Sequence, residues 1–251
     1  MSKAVMTIHG FLTSTEDFGV LYNMLDGYDE VVKCQIPGHG EKIDYKLFTI
    51  DATLFKVLDT FDELKSRHDQ VDIVGFSMGG ALASWLCTKR PVNKAVLIAP
   101  ANKYLNFNST FKMVKFYCET YADAYRESLG ETSQRLRKAF SALTPYTENN
   151  TLSFKLAVKR WLPNINISTY NTFKTLIKIC NQALEGKGSV DTPTLIMWGE
   201  LDELVPKASI KLVQKHFTNY KTITYKDVGH AMLMTNLGAA LSKDIVDFLN
   251  N

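Results

Sequence analysis

No stretch of this chain is apolar for long enough to cross a bilayer, which takes about 18 or more consecutive residues. The opening Met1-Ser2-Lys3 leads straight into Ala4-Val5-Met6-Thr7-Ile8, with neither the h-region nor the cleavage site of a signal peptide. Neither a membrane span nor export is therefore expected, and a cytoplasmic location is. Cysteine is sparse: Cys34, Cys87, Cys118 and Cys180 form no C-x-x-C pair and no Cys/His cluster, and each falls within an apolar pattern. That argues against a disulfide scaffold and a zinc site, and suits reduced, buried thiols. The net charge is only +3 over 251 residues, so nothing points to nucleic acid as a partner. Internal repeats and low-complexity linkers are absent too. What remains is 45% hydrophobic, ample for a large core in one enzyme-sized domain.

Short apolar runs alternate with helical patterns, the signature of a mostly parallel sheet. Strands are expected at Lys3–Ile8, Glu30–Ile36, Val71–Val74, Lys94–Ala99, Thr194–Trp198 and Lys221–Tyr225. A helix starting near Asp51 should bury Leu54, Phe55, Leu58, Phe61 and Leu64. One after Val205-Pro206 carries Ile210, Leu212, Val213 and Phe217; another closes the chain with Leu237, Leu241, Ile245, Phe248 and Leu249.

Residues 101–190 break this rhythm. About 90 residues between two strands far exceed a βα crossover. The pattern is helical, as in Phe111, Val114, Tyr117 and Tyr121, or Tyr170, Phe173, Ile177, Cys180 and Leu184. The stretch holds 13 of the 28 aromatics, and its 13 Lys/Arg against 6 Asp/Glu leave the remainder net negative. We read it as a helical cap inserted into a core made of residues 1–100 and 191–251. Its aromatics either form the cap's own core or line an apolar pocket. Its cations, Arg135, Arg137, Lys138, Lys155, Lys159 and Arg160 among them, form a solvated face or attract anionic ligands or a lipid surface.

The most informative segment is Gly75-Phe76-Ser77-Met78-Gly79, between the strand Val71–Val74 and an amphipathic helix with Leu82, Ala83, Trp85 and Leu86. Taken alone, it fits either a glycine-rich turn with a serine N-cap or a nucleophile elbow. In an elbow, the serine sits at a strained strand-to-helix turn whose neighbours two positions away must lack Cβ atoms. Other chemistry-bearing residues also follow strands: His9-Gly10-Phe11, Pro37-Gly38-His39-Gly40, Trp198-Gly199-Glu200-Leu201-Asp202 and Asp227-Val228-Gly229-His230. In open parallel sheets, ligands bind beyond the carboxyl ends of the strands. Among the acids, Asp202 competes with Glu200, Glu203 and Asp227. His9 and His39 are expected to shape their loops, and His68 and His216, on polar helix ends, to be solvated.

In order and approximate spacing, HGF, PGHG, GFSMGG, WGELDELVP and VGH resemble the α/β-hydrolase family across essentially the whole chain, most of all small bacterial carboxylesterases and monoacylglycerol-lipase-like serine hydrolases. The resemblance implies an α/β-hydrolase fold: a mostly parallel sheet of about six strands flanked by helices, with an inserted helical cap and without the family's first two strands. It further implies Ser77 as nucleophile, His230 as general base and Asp202 as the acid orienting it, with the backbone N–H groups of Phe11 and Met78 as oxyanion hole. The expected function is hydrolysis of short- or medium-chain esters or monoacylglycerols through an acyl-enzyme, with no metal and no organic cofactor. The substrate is a small-molecule ester, and peripheral lipid contact is compatible with the cap. Alternatives are another reaction on the same residues (C–C bond hydrolysis, thioester hydrolysis or acyl transfer) or a ligand-binding homologue without catalysis.

Overall fold

Each strand alternates its side chains between two faces, and this alternation builds two separate cores on one sheet. The computed structural model describes residues 1–40, 43–104, 167–202 and 204–251. Strands β1 (Lys3–Ile8), β2 (Glu30–Cys34), β3 (Gln70–Phe76), β4 (Ala95–Ile98), β5 (Thr194–Gly199) and β6 (Tyr220–Tyr225) form one parallel sheet in the order β2-β1-β3-β4-β5-β6. On one face, Ala4, Met6, Ile8, Val71, Ile73, Leu97 and Ile196 share a buried cluster with residues of four helices. These are α1 (Ile50–Arg67), α2 (Met78–Lys89), α3 (Ile167–Lys187) and α4 (Lys207–His216). On the other, Val5, Val74, Val96, Ile98, Leu195 and Met197 pack with Phe18 and Leu21 of a 3₁₀ segment (Thr15–Met24) and with Leu241, Ile245 and Leu249 of α5 (Gly238–Asn250). The six strands match the expected ones to within two residues at either end.

Helix α1 starts where Thr49 caps it, its hydroxyl accepting the Ala52 N–H at 3.2 Å. Its buried stripe is Thr53, Val57, Thr60, Phe61 and Leu64, and Phe55 stands 68% exposed on the opposite side, against expectation. Two threonines hold stripe positions that apolar counting leaves out; Leu54 and Leu58 pack only on the margin. Two histidines also differ from expectation. His216 is buried and donates its Nδ1–H to the Gly188 carbonyl (3.1 Å), because the bridge between Val190 and Phe217 pulls the end of α4 under the preceding loop. His68 has a side chain only 11% exposed, with Nε2 2.8 Å from Glu30 Oε2.

Helix α3 carries the expected spacing of Phe173, Ile177, Cys180 and Leu184, all buried in the same cluster as Leu82, Trp85 and Leu86 of α2. It therefore packs directly on the sheet's helical layer. The rest of the aromatic-rich stretch, including Phe111, Val114, Tyr117, Tyr121 and the basic residues 135–160, lies outside the described residues. Cys34, Cys87 and Cys180 are buried free thiols, and burial raises the Cys87 pKa to about 12; Cys118 lies outside the described residues. No described helix is long and apolar enough to cross a membrane.

Candidate active site

Ser77 interrupts the passage from β3 to α2 with φ 54° and ψ −114°, a conformation that costs a non-glycine residue of order 1–3 kcal/mol. Contacts along the chain on either side enforce it. A Cβ on Gly75 would sit 2.3 Å from the Gly79 carbonyl oxygen, and one on Gly79 would lie 1.9 Å from the Ile8 carbonyl oxygen. The start of α2 is thus pressed onto the end of β1, a closeness only glycine permits. Backbone bonds from Ser77 N to Ile98 O (2.9 Å) and from Ala101 N to Ser77 O (3.0 Å) tie the turn to the end of β4. Ser77 occupies the N-cap position of α2 but makes no capping bond. Its hydroxyl is committed elsewhere: Oγ lies 3.0 Å from His230 Nε2.

His230 follows β6, and its other ring nitrogen, Nδ1, lies 2.8 Å from Asp202 Oδ2. The Asp202 side chain is fully buried, and its Oδ1 accepts the N–H groups of Leu204 (2.9 Å) and Val205 (2.7 Å). The local sequence explains that arrangement. After β5, a turn closed by the Asp202 N–H on the Gly199 carbonyl (3.1 Å) brings the carboxylate onto the amides of Leu204 and Val205. Gly199 is needed there, since a Cβ would fall 2.1 Å from the Val228 carbonyl oxygen. A carboxylate offers only acceptors, so Nδ1 carries the imidazole proton and Nε2 presents its lone pair to the Ser77 hydroxyl. Glu200 and Asp227 are exposed at the surface, while Glu203 lies outside the described residues. The Phe76 ring lies tilted, 5.1 Å from that of His230.

The other loops at this edge are built from histidines. His9 is fully buried. Its Nε2 accepts the Ile36 N–H (3.0 Å) and lies 2.8 Å from the Gln35 side-chain amide, so Nδ1 holds the proton and donates to the Gly10 carbonyl (2.8 Å). Gly10 in turn donates its N–H to Asp17 Oδ2 (3.2 Å), which also accepts the Thr13 hydroxyl. Nothing in the sequence singles out Asp17, because neither of the adjacent acids Glu16 and Asp17 announces which amide it will cap. Phe11 comes next, its ring stacked on Phe173 of α3 at 4.6 Å and 16°; Tyr104 approaches Phe173 at 4.9 Å. Met78, the first residue of α2, is fully buried. Where the chain leaves β4, Asn102 Nδ2 donates to Asn181 Oδ1 of α3 (3.0 Å), and Asn181 Nδ2 returns a bond to the Asn102 carbonyl (2.7 Å).

A strained serine after β3, followed in chain order by an acid after β5 and a histidine after β6, all hydrogen-bonded together, is an arrangement with known relatives. The sequence profile of the alpha/beta hydrolase fold matches residues 3–237. The chain belongs to the α/β-hydrolase family. Among members of this family, it is 23% identical over 261 residues to the monoacylglycerol lipase ABHD6 of Bos taurus, covering 98% of this chain and 75% of that protein. It is 22% identical to the pimeloyl-[acyl-carrier protein] methyl ester esterase of Klebsiella pneumoniae (strain 342), covering 94% of this chain and 89% of that one. The solved enol-lactonase of Burkholderia xenovorans LB400 shares the α/β-hydrolase fold with a TM-score of 0.68 at 16% identity, over 100% of this chain and 92% of that one. Among the described residues of this α/β hydrolase, no group of three or more His, Cys, Asp or Glu is placed to hold a metal ion.

His39 of the Pro37–Gly40 loop packs beside His9 (5.4 Å) and Phe11 (6.1 Å). Its ring is nearly enclosed, edge-on to Phe48 (4.8 Å) and Tyr45 (5.2 Å), and its Nδ1–H donates to the Pro37 carbonyl (3.1 Å). Burial holds its pKa down at about 4, against an ordinary 6.5. The folded protein therefore resists protonating His39, whereas the unfolded chain takes up that proton below pH 6.5. Stability contributed by the neutral ring is complete above pH 6.5 and is lost as the pH falls from 6.5 towards 4, by up to about 3 kcal/mol. Urea unfolding at pH 7.0 and 4.5 should show this, and His39→Gln should have the smaller pH dependence. Equal losses in the two proteins would place the acid sensitivity elsewhere.

Proposed function

We propose that this protein is a serine hydrolase that cleaves carboxylic esters of short or medium acyl chains, or monoacylglycerols, through an acyl-enzyme. One observation carries the reading: Asp202, His230 and Ser77 form an unbroken hydrogen-bonded chain that ends on a hydroxyl with no structural duty. The Ser77 Oγ attacks the ester carbonyl as His230 Nε2 takes its proton; the imidazolium then returns that proton to the departing alcohol. Water, deprotonated by the same nitrogen, attacks the acyl-enzyme, and the imidazolium returns that proton to Ser77 Oγ as the acyl–oxygen bond breaks and the acid leaves. Asp202, locked by two backbone amides, keeps the ring oriented and stabilises its charged form. The N–H groups of Met78 and Phe11 receive the oxyanion: the first opens α2, where orphan amides and the helix dipole favour negative charge; the second follows β1 across the site.

The insertion between β4 and β5 acts as the cap, and the clustered rings of Phe11, Phe173 and Tyr104 give the acyl or alcohol group an apolar wall. The names of the relatives, a monoacylglycerol lipase and a methyl ester esterase, agree with ester chemistry. Three buried free thiols support a reducing compartment such as the cytoplasm. A fluorophosphonate probe tests the reading directly. It should label wild-type protein at Ser77 and block hydrolysis of a p-nitrophenyl ester panel graded in acyl length. A protein neither labelled nor active on any ester of the panel would overturn the proposal.

A further inference from the structure

We propose that His9 is a positioning residue that aims the Phe11 N–H into the oxyanion hole by holding the carbonyl of Gly10. The inference rests on the ester-hydrolase reading above and adds a residue to it. A trans peptide is planar, with its C=O and N–H pointing in opposite directions, so fixing the Gly10 oxygen fixes the Phe11 N–H as well. His9 Nδ1–H holds that oxygen at 2.8 Å. The donor cannot switch tautomer, because Nε2 already accepts the Ile36 N–H at 3.0 Å.

Direction follows from the sheet. The His9 ring is anchored to Gln35 and Ile36, just past the end of β2. The Gly10 carbonyl is thus held from the β2 side, and the Phe11 N–H is turned towards β3, the neighbour of β1 on its other side. The β1–β3 register pairs Ile8 with Gly75, so two residues further on Gly10 stands level with Ser77. The loop has little freedom to compensate. The Gly10 N–H is taken by Asp17 at 3.2 Å, Leu12 sits at φ 62°, and the Phe11 ring is stacked on Phe173.

Two substitutions separate the roles of the two ring nitrogens. The amide nitrogen of asparagine falls near the place of Nδ1, so His9→Asn keeps the donor to Gly10 and loses the acceptor for Ile36. The amide of glutamine reaches the place of Nε2, so His9→Gln keeps the acceptor and loses the donor. His9→Asn gives up both contacts of Nε2, with Ile36 and Gln35, and His9→Gln only the donor to Gly10, so the fall in Tm should be at least as large in His9→Asn. For p-nitrophenyl butyrate, His9→Gln should lose about 10²-fold in kcat with KM nearly unchanged, since an interaction made in the transition state is misplaced. His9→Asn should restore most of that kcat. Equal kcat losses in both variants would reduce His9 to a structural residue and overturn the proposal, as would a His9→Gln defect confined to KM.

Hydrogen exchange of the Phe11 amide gives a readout independent of ester turnover. It should accelerate about tenfold or more in His9→Gln relative to His9→Asn, because the peptide unit is no longer held. Equal exchange in the two variants overturns the tether. A wild-type protein that is inactive and unlabelled by fluorophosphonate, yet shows the expected exchange difference, would instead refute the ester-hydrolase reading and leave the tether standing.

Discussion

Ser77→Ala is expected to leave a folded protein with ester hydrolysis lower by several orders of magnitude, up to about 10⁶-fold in kcat where such residues act as a unit. The substitution removes only the hydroxyl. That oxygen caps no helix N–H and has His230 Nε2 as its partner, at 3.0 Å, so the backbone turn and the packing of α2 keep their supports. Tm should move little, since only one side-chain polar contact is lost and alanine keeps the backbone strain at φ 54°. What disappears is the covalent route. His230→Ala should be nearly as severe, and the double variant no worse than either alone, because neither residue accelerates acylation without the other. The measurement is steady-state hydrolysis of p-nitrophenyl esters beside fluorophosphonate labelling. Retention of more than about a tenth of wild-type activity in Ser77→Ala would rule out this serine as the nucleophile.

Asp202→Asn should cost on the order of 10³–10⁴ in kcat. Asparagine can still accept the N–H groups of Leu204 and Val205 through its side-chain oxygen, as Asp202 Oδ1 does. Its amide nitrogen then faces His230 Nδ1, where a donor meets a donor unless the ring changes tautomer. The ring switches, Nε2 gains the proton, and it no longer accepts one from Ser77. The defect should therefore fall on kcat while urea unfolding stays close to wild type. Glu200→Gln, at an exposed side chain two residues earlier, should leave activity almost unchanged. Comparable losses in the two variants would show that charge near the loop, and not the bond at Nδ1, is what matters.

The contrast between those two acids shows where local sequence stops being informative. Glu200 and Asp202 both follow β5, both are acidic, and a turn separates their directions. Only the turn after β5 buries one carboxylate against the amides of Leu204 and Val205 and leaves the other in solvent. Histidines repeat the lesson. His216 and His68 carry polar neighbours and stand at helix ends, yet the chain folds back over both; His39 sits between two glycines and is enclosed by aromatic rings from residues 45 and 48. Burial of a polar ring depends on what arrives from elsewhere in the chain, and no local pattern records it. Phe55 errs in the other direction: an aromatic in a good helical pattern faces solvent because Thr53 and Thr60 take the stripe against the sheet.

By itself the sequence determined the strand–helix alternation and the parallel sheet, because side-chain period and turn residues act over a few positions and survive any later packing. It also determined that Gly75 and Gly79 flank a serine between a strand and a helix, the covalent requirement of a strained turn. Tertiary structure alone decided how the Asp202 carboxylate, which the family resemblance implies, is buried and bonded to His230, which nitrogen of His9 carries a proton, and that α3 joins the sheet's helical layer through Phe173, Ile177, Cys180 and Leu184. Each of these depends on contacts between residues tens of positions apart or more, such as Asp202 with His230, His9 with Ile36, or Asn102 with Asn181. Hydrogen-bond direction and burial are properties of such meetings, and they exist only once the sheet has brought the ends of its strands together.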